Sequence, residues 1–185
     1  MAGHSKWSNI KHKKEAADKK RAAVFGKLTK AITVSAQQRG GDPDTNHELR
    51  TLINKAKDAN MPKDKIETAI KKGTGELQED IKLEELIMEA YGPGGVAILI
   101  SVITDNRNRT TAELRHLLGQ YEAKLSGEGS AKWMFEKIEK EKGSIGWEAK
   151  TKIEVSSKDK KGLERLYEAL DEHDDVQSIY SNMKK

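Results

Sequence analysis

The chain of 185 residues contains no cysteine. That excludes disulfides and thiolate zinc sites and fits a reducing compartment. Material for a large core is scarce: hydrophobic residues make up 35% of the chain, while charged residues also make up 35%. Such a balance predicts small domains with modest cores and much solvated surface. No apolar stretch approaches the roughly 18–20 residues that a membrane-spanning helix needs. The opening MAGHSKWSNIKHKK is positively charged but has no apolar segment behind it, which argues against a secretory signal. These absences predict a cytoplasmic protein with no membrane partner. Catalytic signatures are missing as well. His4, His12, His47, His116 and His173 are scattered, with no HExxH or HxH spacing. There is no GxSxG elbow, and YGPGG lacks the following Lys-Ser/Thr that a phosphate-binding loop uses. The expectation is a protein that is not an enzyme and has no cofactor.

What is abundant is positive charge at one end. The net charge is only +4, but Met1–Lys72 carries 17 Lys/Arg against 8 Asp/Glu, whereas the rest carries 17 against 22. A basic half beside an acidic half points to a polyanionic partner for the former. Ala2–Asp18 has no sustained apolar period and reads as a flexible basic arm bearing Lys6, Lys11, His12, Lys13 and Lys14, with Trp7 among them. Lysines can neutralise phosphates, and a tryptophan can stack on a base or pin the arm to the helices behind it.

From Lys19 a helix is expected, with Phe25, Leu28, Ile32 and Ser35 on its apolar stripe and Lys19, Lys20, Arg21, Lys27 and Lys30 mostly off it. Gly40–Gly41 ends it. Thr45 or Asn46 caps a second helix facing inward through Leu49, Leu52, Ile53 and Ala56. Asn60 marks a break, and Met61-Pro62 opens a third helix, with Ile66, Ala69 and Ile70 inside, that stops at Gly73. A basic arm plus a three-helix domain over residues 1–75 follows.

Residues 76–185 read differently. Leu83–Tyr91 and the β-branched run Val96–Ile103 form a hairpin across Gly92-Pro93-Gly94-Gly95. After a polar Asn/Arg segment, Thr110 or Thr111 caps a helix with Leu114, Leu117, Leu118 and Tyr121. Ala131, Trp133 and Phe135 alternate as in a half-buried strand, EKEKGSIG reads as a connector, and Thr151, Ile153 and Val155 alternate in another strand. A helix through Leu163, Leu166, Tyr167 and Leu170 and a last strand at Val176–Tyr180 complete the pattern. Without its first strand this is a split βαβ pair, a ferredoxin-like antiparallel sheet with two helices. The expected class is therefore α+β.

The Asn/Arg segment is the second candidate contact. Arg107 and Arg109 have forked guanidinium groups suited to phosphate, Asn106 and Asn108 can bond base edges, and Arg115 lies further along the following helix. Facing the basic arm across an interdomain cleft, they would complete a nucleic-acid surface. The plain alternative is arginines paired with neighbouring carboxylates and asparagines that set a turn. His116 is a half-exposed helix position that could titrate or touch phosphate. The cluster Asp171, Glu172, Asp174 and Asp175 could bind a hard cation, but reads better as a solvated turn. In a rival reading, that of a protein-interaction module, it docks a basic partner.

Long segments resemble a known family in order along nearly the whole chain: AGHSKWSNIKHKK, FGKLTKAI, NMPKDKIETAIKKGTG, YGPGGVAILI, TDNRNRT, GEGSAKWMFEK and DDVQSIYSN. The chain is similar to the YebC-type family, whose members are described as probable transcriptional regulatory proteins. A mitochondrial relative is a translational activator of cytochrome oxidase subunit I. The resemblance implies a helical domain, a ferredoxin-like domain and a third domain inserted into the second. Here EKEKGSIGWEAK joins the flanking segments directly, so the chain reads as a short form without that insertion. The implied function is a DNA-binding transcriptional regulator. The alternative is an RNA- or ribosome-associated factor that assists translation. A monomer is expected. No clear helix-turn-helix is visible, nor a helix face carrying the Asn/Gln/Arg set for major-groove reading.

Overall fold

Three helices come first in the computed structural model, which describes residues 4–77, 82–140 and 144–184, side chains of residues 4–16, 140 and 144 excepted. Helix α1 spans His4–Arg39, α2 spans His47–Asp58 and α3 spans Lys63–Thr74. Helix α1 begins at His4 rather than Lys19, so the backbone expected as a flexible arm is helical. Phe25, Leu28 and Ile32 of its stripe pack with Leu49, Leu52, Ile53 and Ala56 of α2 and with Ile66, Ala69 and Ile70 of α3. Farther along, Ile32–Ala36 are buried all round. A helix so enclosed lies between two layers: α2 and α3 on one side, a sheet on the other.

Two local devices fix this bundle. Asn46 is the N-cap of α2, its Oδ1 accepting from the Leu49 amide at 3.0 Å. Its Nδ2 donates to the carbonyls of Ser35 at 3.0 Å and Gly40 at 2.9 Å, so one buried amide closes the end of α1 and the start of α2. Gly73, expected to stop α3, lies inside it; Gly75, with φ +79°, ends it. A Cβ on Gly73 would meet the Thr33 carbonyl oxygen at 2.3 Å and the Ala36 Cβ at 2.7 Å, so glycine lets α3 approach the α1 backbone. Gly73→Ala should gain about 1 kcal/mol of helix propensity yet destabilise overall by about 2 kcal/mol. The methyl meets a backbone carbonyl that cannot rotate away, and overpacking typically costs about 1–3 kcal/mol. Chemical denaturation checks this.

The second part has strands β1 (Glu84–Tyr91), β2 (Ala97–Thr104), β3 (Lys124–Ser126), β4 (Phe135–Lys140), β5 (Ser144–Ala149) and β6 (Val176–Ser181). Helices α4 (Arg107–Gln120) and α5 (Ser157–Asp171) complete it. The four-stranded sheet has the order β3-β1-β2-β6, every neighbouring pair antiparallel. The class is α+β, three helices followed by a ferredoxin-like antiparallel sheet with two helices. In β2, Ile98, Ile100 and Val102 face Leu114 and Leu118 of α4 and Leu163, Leu166 and Leu170 of α5. On the opposite face, Ala97 and Leu99 meet Phe135, Trp147 and Ala149 of the β4–β5 hairpin. Both faces are covered, which is why β2 reads as a continuous apolar run.

Four strand expectations need correction. The first strand is not an extra one: β1 pairs with β2 along its whole length and sits between β2 and β3. It occupies the slot expected for Thr151–Val155. That segment makes only one bridge, Ile153 to Met183, although Ile153 and Val155 still pack on the core. The connector EKEKGSIG is where β4 turns back into β5. Trp133 does not point inward. Residues Lys132–Met134 form a 3₁₀ turn that keeps Ala131 and Phe135 buried and leaves Trp133 64% exposed. Among the described residues no helix is long and apolar enough to cross a membrane.

Candidate nucleic-acid interface

Long-range pairing sorts the cations of α1 into two sets. Lys27 Nζ donates to the carboxylate and to the carbonyl of Asp171, both at 2.7 Å. Lys30 Nζ donates to Asp175 Oδ1 at 2.5 Å and to the Asp174 carbonyl at 3.1 Å. These two lysines clamp α1 onto the end of α5 and the turn before β6, so they are not free phosphate contacts. The acidic cluster does dock a basic partner, and that partner is the chain's own first helix. Lys19, Lys20 and Arg21 are the other set. Six consecutive positions, residues 17–22, are exposed, so α1 stands clear of the rest there. Lys6, Trp7, Lys11, His12, Lys13 and Lys14 lie on the same helix, but their side chains fall outside the described residues.

The Asn/Arg segment is not a loop. Asn106 caps α4, its Oδ1 accepting from the Arg109 amide at 3.0 Å, so Arg107, Asn108 and Arg109 form the first helical turn. Arg109 is engaged within its own part of the chain: its guanidinium meets Asp175 at 2.9 Å and Asp105 at 3.0 Å. It is held further toward its charged form chiefly by the hydrogen bond to Asp175. Arg109 is therefore a structural cation, as the plain alternative had it. Arg107, Asn108 and Arg115 are exposed. Arg107 stands in a first turn that contains no acidic residue. A cation at that end opposes the helix dipole, so its position is unfavourable unless an anion joins it.

Asp175 is the hub of the junction. Its Oδ2 accepts from Thr110 Oγ1 at 2.6 Å as well as from Arg109, its Oδ1 takes Lys30, and its carbonyl accepts from the Ile103 amide at 2.9 Å. Burial alone would push this carboxyl up. The hydrogen bonds from Lys30, Thr110 and Arg109 outweigh it and hold the carboxyl down from 3.8 to about 2. Glu113, His173 and Asp175 could together offer three ligand atoms to a metal. With both Asp175 oxygens already bonded to cations or a hydroxyl, a metal there would displace Lys30 or sit against Arg109. The surrounding cleft, about 850 Å³, is lined by Lys30, Lys72 and Arg109 against Asp105, Glu113, Glu172, Asp174 and Asp175. That excess of carboxylates disfavours phosphate in the interdomain cleft, where the sequence placed the nucleic-acid surface. His116 lies exposed on α4 beside Gln120, 3.1 Å away.

Sequence reasoning missed a different constellation. Glu89 of β1 is buried, and its carboxylate accepts backbone N–H bonds from Gly129 and Ala131 at 2.6 Å and from Lys132 at 2.7 Å. Burial raises this carboxyl, but the three amides and the Lys132 charge prevail and leave it below its ordinary value. The signal was there: Glu89 has the parity of Ile87 and Tyr91, which face the apolar side, so a carboxylate at that position required bonded donors. The pinned loop forms one wall of a polar depression of about 670 Å³ that brings together Arg107, Asn108, Thr111, Arg115 and Lys132, with Glu85 and Glu128 also on its walls. Two cations and an asparagine from the predicted set thus meet a lysine that was not predicted.

Residues 5–76 match the family described as TACO1/YebC protein N-terminal domain. Residues 83–140 and 137–183 match that described as TACO1/YebC second and third domain. A "Probable transcriptional regulatory protein" of Petrotoga mobilis is 57% identical over 137 residues, covering 74% of this chain and 54% of that one. The chain thus aligns with about half the length of that relative. A protein of the same name from Desulfosudis oleivorans is 47% identical over 184 residues, covering 97% of this chain and 74% of the relative. Against the one from Pseudothermotoga lettingae, identity is 39% over 239 positions, covering all of this chain and 94% of the relative. There, 239 positions against 185 residues leave 54 without a residue of this chain. The chain is a short form lacking the inserted third domain: the two family matches meet at residues 137–140, within β4, and β4 pairs directly with β5. The fold is also similar to the crystal structure of a conserved hypothetical protein from Aquifex aeolicus. The TM-score is 0.81 and identity 30%, over 89% of this chain and 90% of that one.

Proposed function

The chain belongs to the TACO1/YebC family, and on that premise we propose that it is a non-enzymatic, nucleic-acid-binding regulator of gene expression, acting on DNA as a transcriptional regulator. The observation that carries this reading is the sorting of the cations. Lys27, Lys30 and Arg109 are held by Asp171 and Asp175, whereas Lys19, Lys20, Arg21, Arg107 and Arg115 remain exposed. Lys6, Trp7, Lys11, His12, Lys13 and Lys14 join the proposed site on the strength of the sequence. The two surfaces offer phosphate neutralisation from α1 and a forked contact at the start of α4. The regulatory role named for the relatives favours DNA.

RNA is the second reading, with translation or the ribosome as its setting. The exposed set is made of Lys and Arg with a single Asn, which suits backbone and shape recognition better than a base-edge code. Fluorescence-polarisation titrations of the whole chain against single- and double-stranded DNA and RNA at two salt concentrations test the proposal. Affinity should fall steeply with salt, with a log–log slope of about −0.7 to −0.9 per phosphate neutralised. A salt-independent affinity contradicts it. Crosslinking in cells then separates promoter DNA from messenger or ribosomal RNA.

A further inference from the structure

The turn before β4 presents an aromatic side chain to solvent on a rigid mount. Trp133 is 64% exposed, more than any other large hydrophobic side chain among the described residues. It is not loose. Its indole N–H donates to the Ser130 carbonyl at 2.9 Å, and its own carbonyl accepts from Lys150 Nζ at 2.9 Å. The residues before it are held by the three amide bonds to Glu89. A carboxylate has been buried in β1 to fix a loop whose tip is a tryptophan in water. Packing does not account for that, because Ala131 and Phe135 on either side already fill the core.

The surroundings are basic. Lys132 and Lys137 both hold their ammonium groups 5.5 Å from the centre of the Trp147 ring, and Lys150 adjoins Trp133. Glu136 and Glu148 stand opposite each other in the hairpin. By the two-residue alternation of strands they lie on the face away from Lys137 and Trp147. Lys132 also belongs to the depression that contains Arg107, Asn108 and Arg115. Lys132 thus links that depression, where Arg107, Arg115 and Lys132 stand with Glu85, Glu89 and Glu128, to the neighbouring exposed indole.

We propose that Trp133 is a stacking platform for an unpaired base of a single-stranded nucleic acid, whose backbone follows Lys132, Arg107 and Arg115. This rests on the nucleic-acid reading above and narrows it. A flat indole can accept the face of any base but not a base inside a duplex, so the ligand is a single-stranded or locally opened segment. Ribose and deoxyribose strands offer the same base faces, and the test separates them.

The experiment measures the affinity of the whole chain for short unstructured oligouridylate and oligothymidylate and for a hairpin duplex, using wild type, Trp133→Ala, Trp133→Phe and Lys132→Gln. Trp133→Ala should weaken single-strand binding roughly 10- to 100-fold, the usual effect of losing one stacked base. Duplex affinity and the salt slope should stay unchanged. Trp133→Phe should recover most of the loss, and Lys132→Gln should lower the salt slope by about 0.7. The stronger of the two oligonucleotides identifies the sugar. Because the side chain is exposed, Trp133→Ala should melt within about 2 °C of wild type. If Trp133→Ala binds single strands as wild type does, the platform is overturned while the broader reading stands. If wild type binds none of the three probes, both fall.

Discussion

Replacing Asp175 with Asn should destabilise the protein by about 3 kcal/mol, seen as a Tm lower by roughly 10 °C. The carboxylate is 4% exposed and accepts from Lys30, Arg109 and Thr110 at once. Removing one partner of a buried pair typically costs about 3–5 kcal/mol. The lower end applies because Lys30 and Arg109 are 26% and 43% exposed and can turn toward water. Asp171→Asn is the contrast. Its carboxylate is 73% exposed, and an exposed pair contributes about 0–1 kcal/mol. The same geometry sets a pH dependence. The Asp175 carboxyl drops from 3.8 to about 2 on folding, so the stabilisation is complete above the unfolded value. It is lost as pH falls from about 4 to about 2, a change of about 2 kcal/mol. Glu89, lowered in the same direction, adds to the acid sensitivity. In Asp175→Asn the part of the acid limb due to this group should be gone, as denaturant midpoints across pH would record.

Asn46→Ala should cost nearly as much, also about 3 kcal/mol. Loss of an N-cap bond accounts for about 1 kcal/mol. Loss of the bonds to the Ser35 and Gly40 carbonyls adds about 1 kcal/mol each, because Asn46 is 1% exposed and water does not replace it. Asn46→Asp probes the two donors. It keeps the acceptor for the Leu49 amide but sets a carboxylate oxygen against the Ser35 and Gly40 carbonyls, so its urea midpoint should lie at or below that of Ala. A midpoint for Asn46→Ala within about 0.5 kcal/mol of wild type would mean that the two carbonyls find other donors.

Much of what depended on local pattern was legible in the chain. The Val96–Ile103 run announced β2, and the glycines of YGPGG announced its hairpin. What depended on distant residues was not. Lys19, Lys20, Lys27 and Lys30 are alike in sequence, and only Asp171 and Asp175, more than a hundred positions away, set two of them apart. Arg107 and Arg109 are two residues apart, yet only the latter reaches Asp175. Ala131, Trp133 and Phe135 have the rhythm of a strand, but Glu89 gathers the preceding amides into a turn and directs the tryptophan outward. Ile153 and Val155 had the correct inward parity and no ladder, since β1 had taken the place beside β2, and Thr151 is exposed. The missing insertion was legible because its flanking motifs abut.

In the proposed function the exposed cations bind nucleic acid while the clamped ones hold the protein together. The salt dependence of oligonucleotide affinity in the triple variant Lys19→Gln, Lys20→Gln, Arg21→Gln tests it most directly. The predicted result is an unchanged Tm and a log–log slope shallower by about 2 to 3, as expected for about three lost phosphate contacts. A slope equal to that of wild type would contradict it.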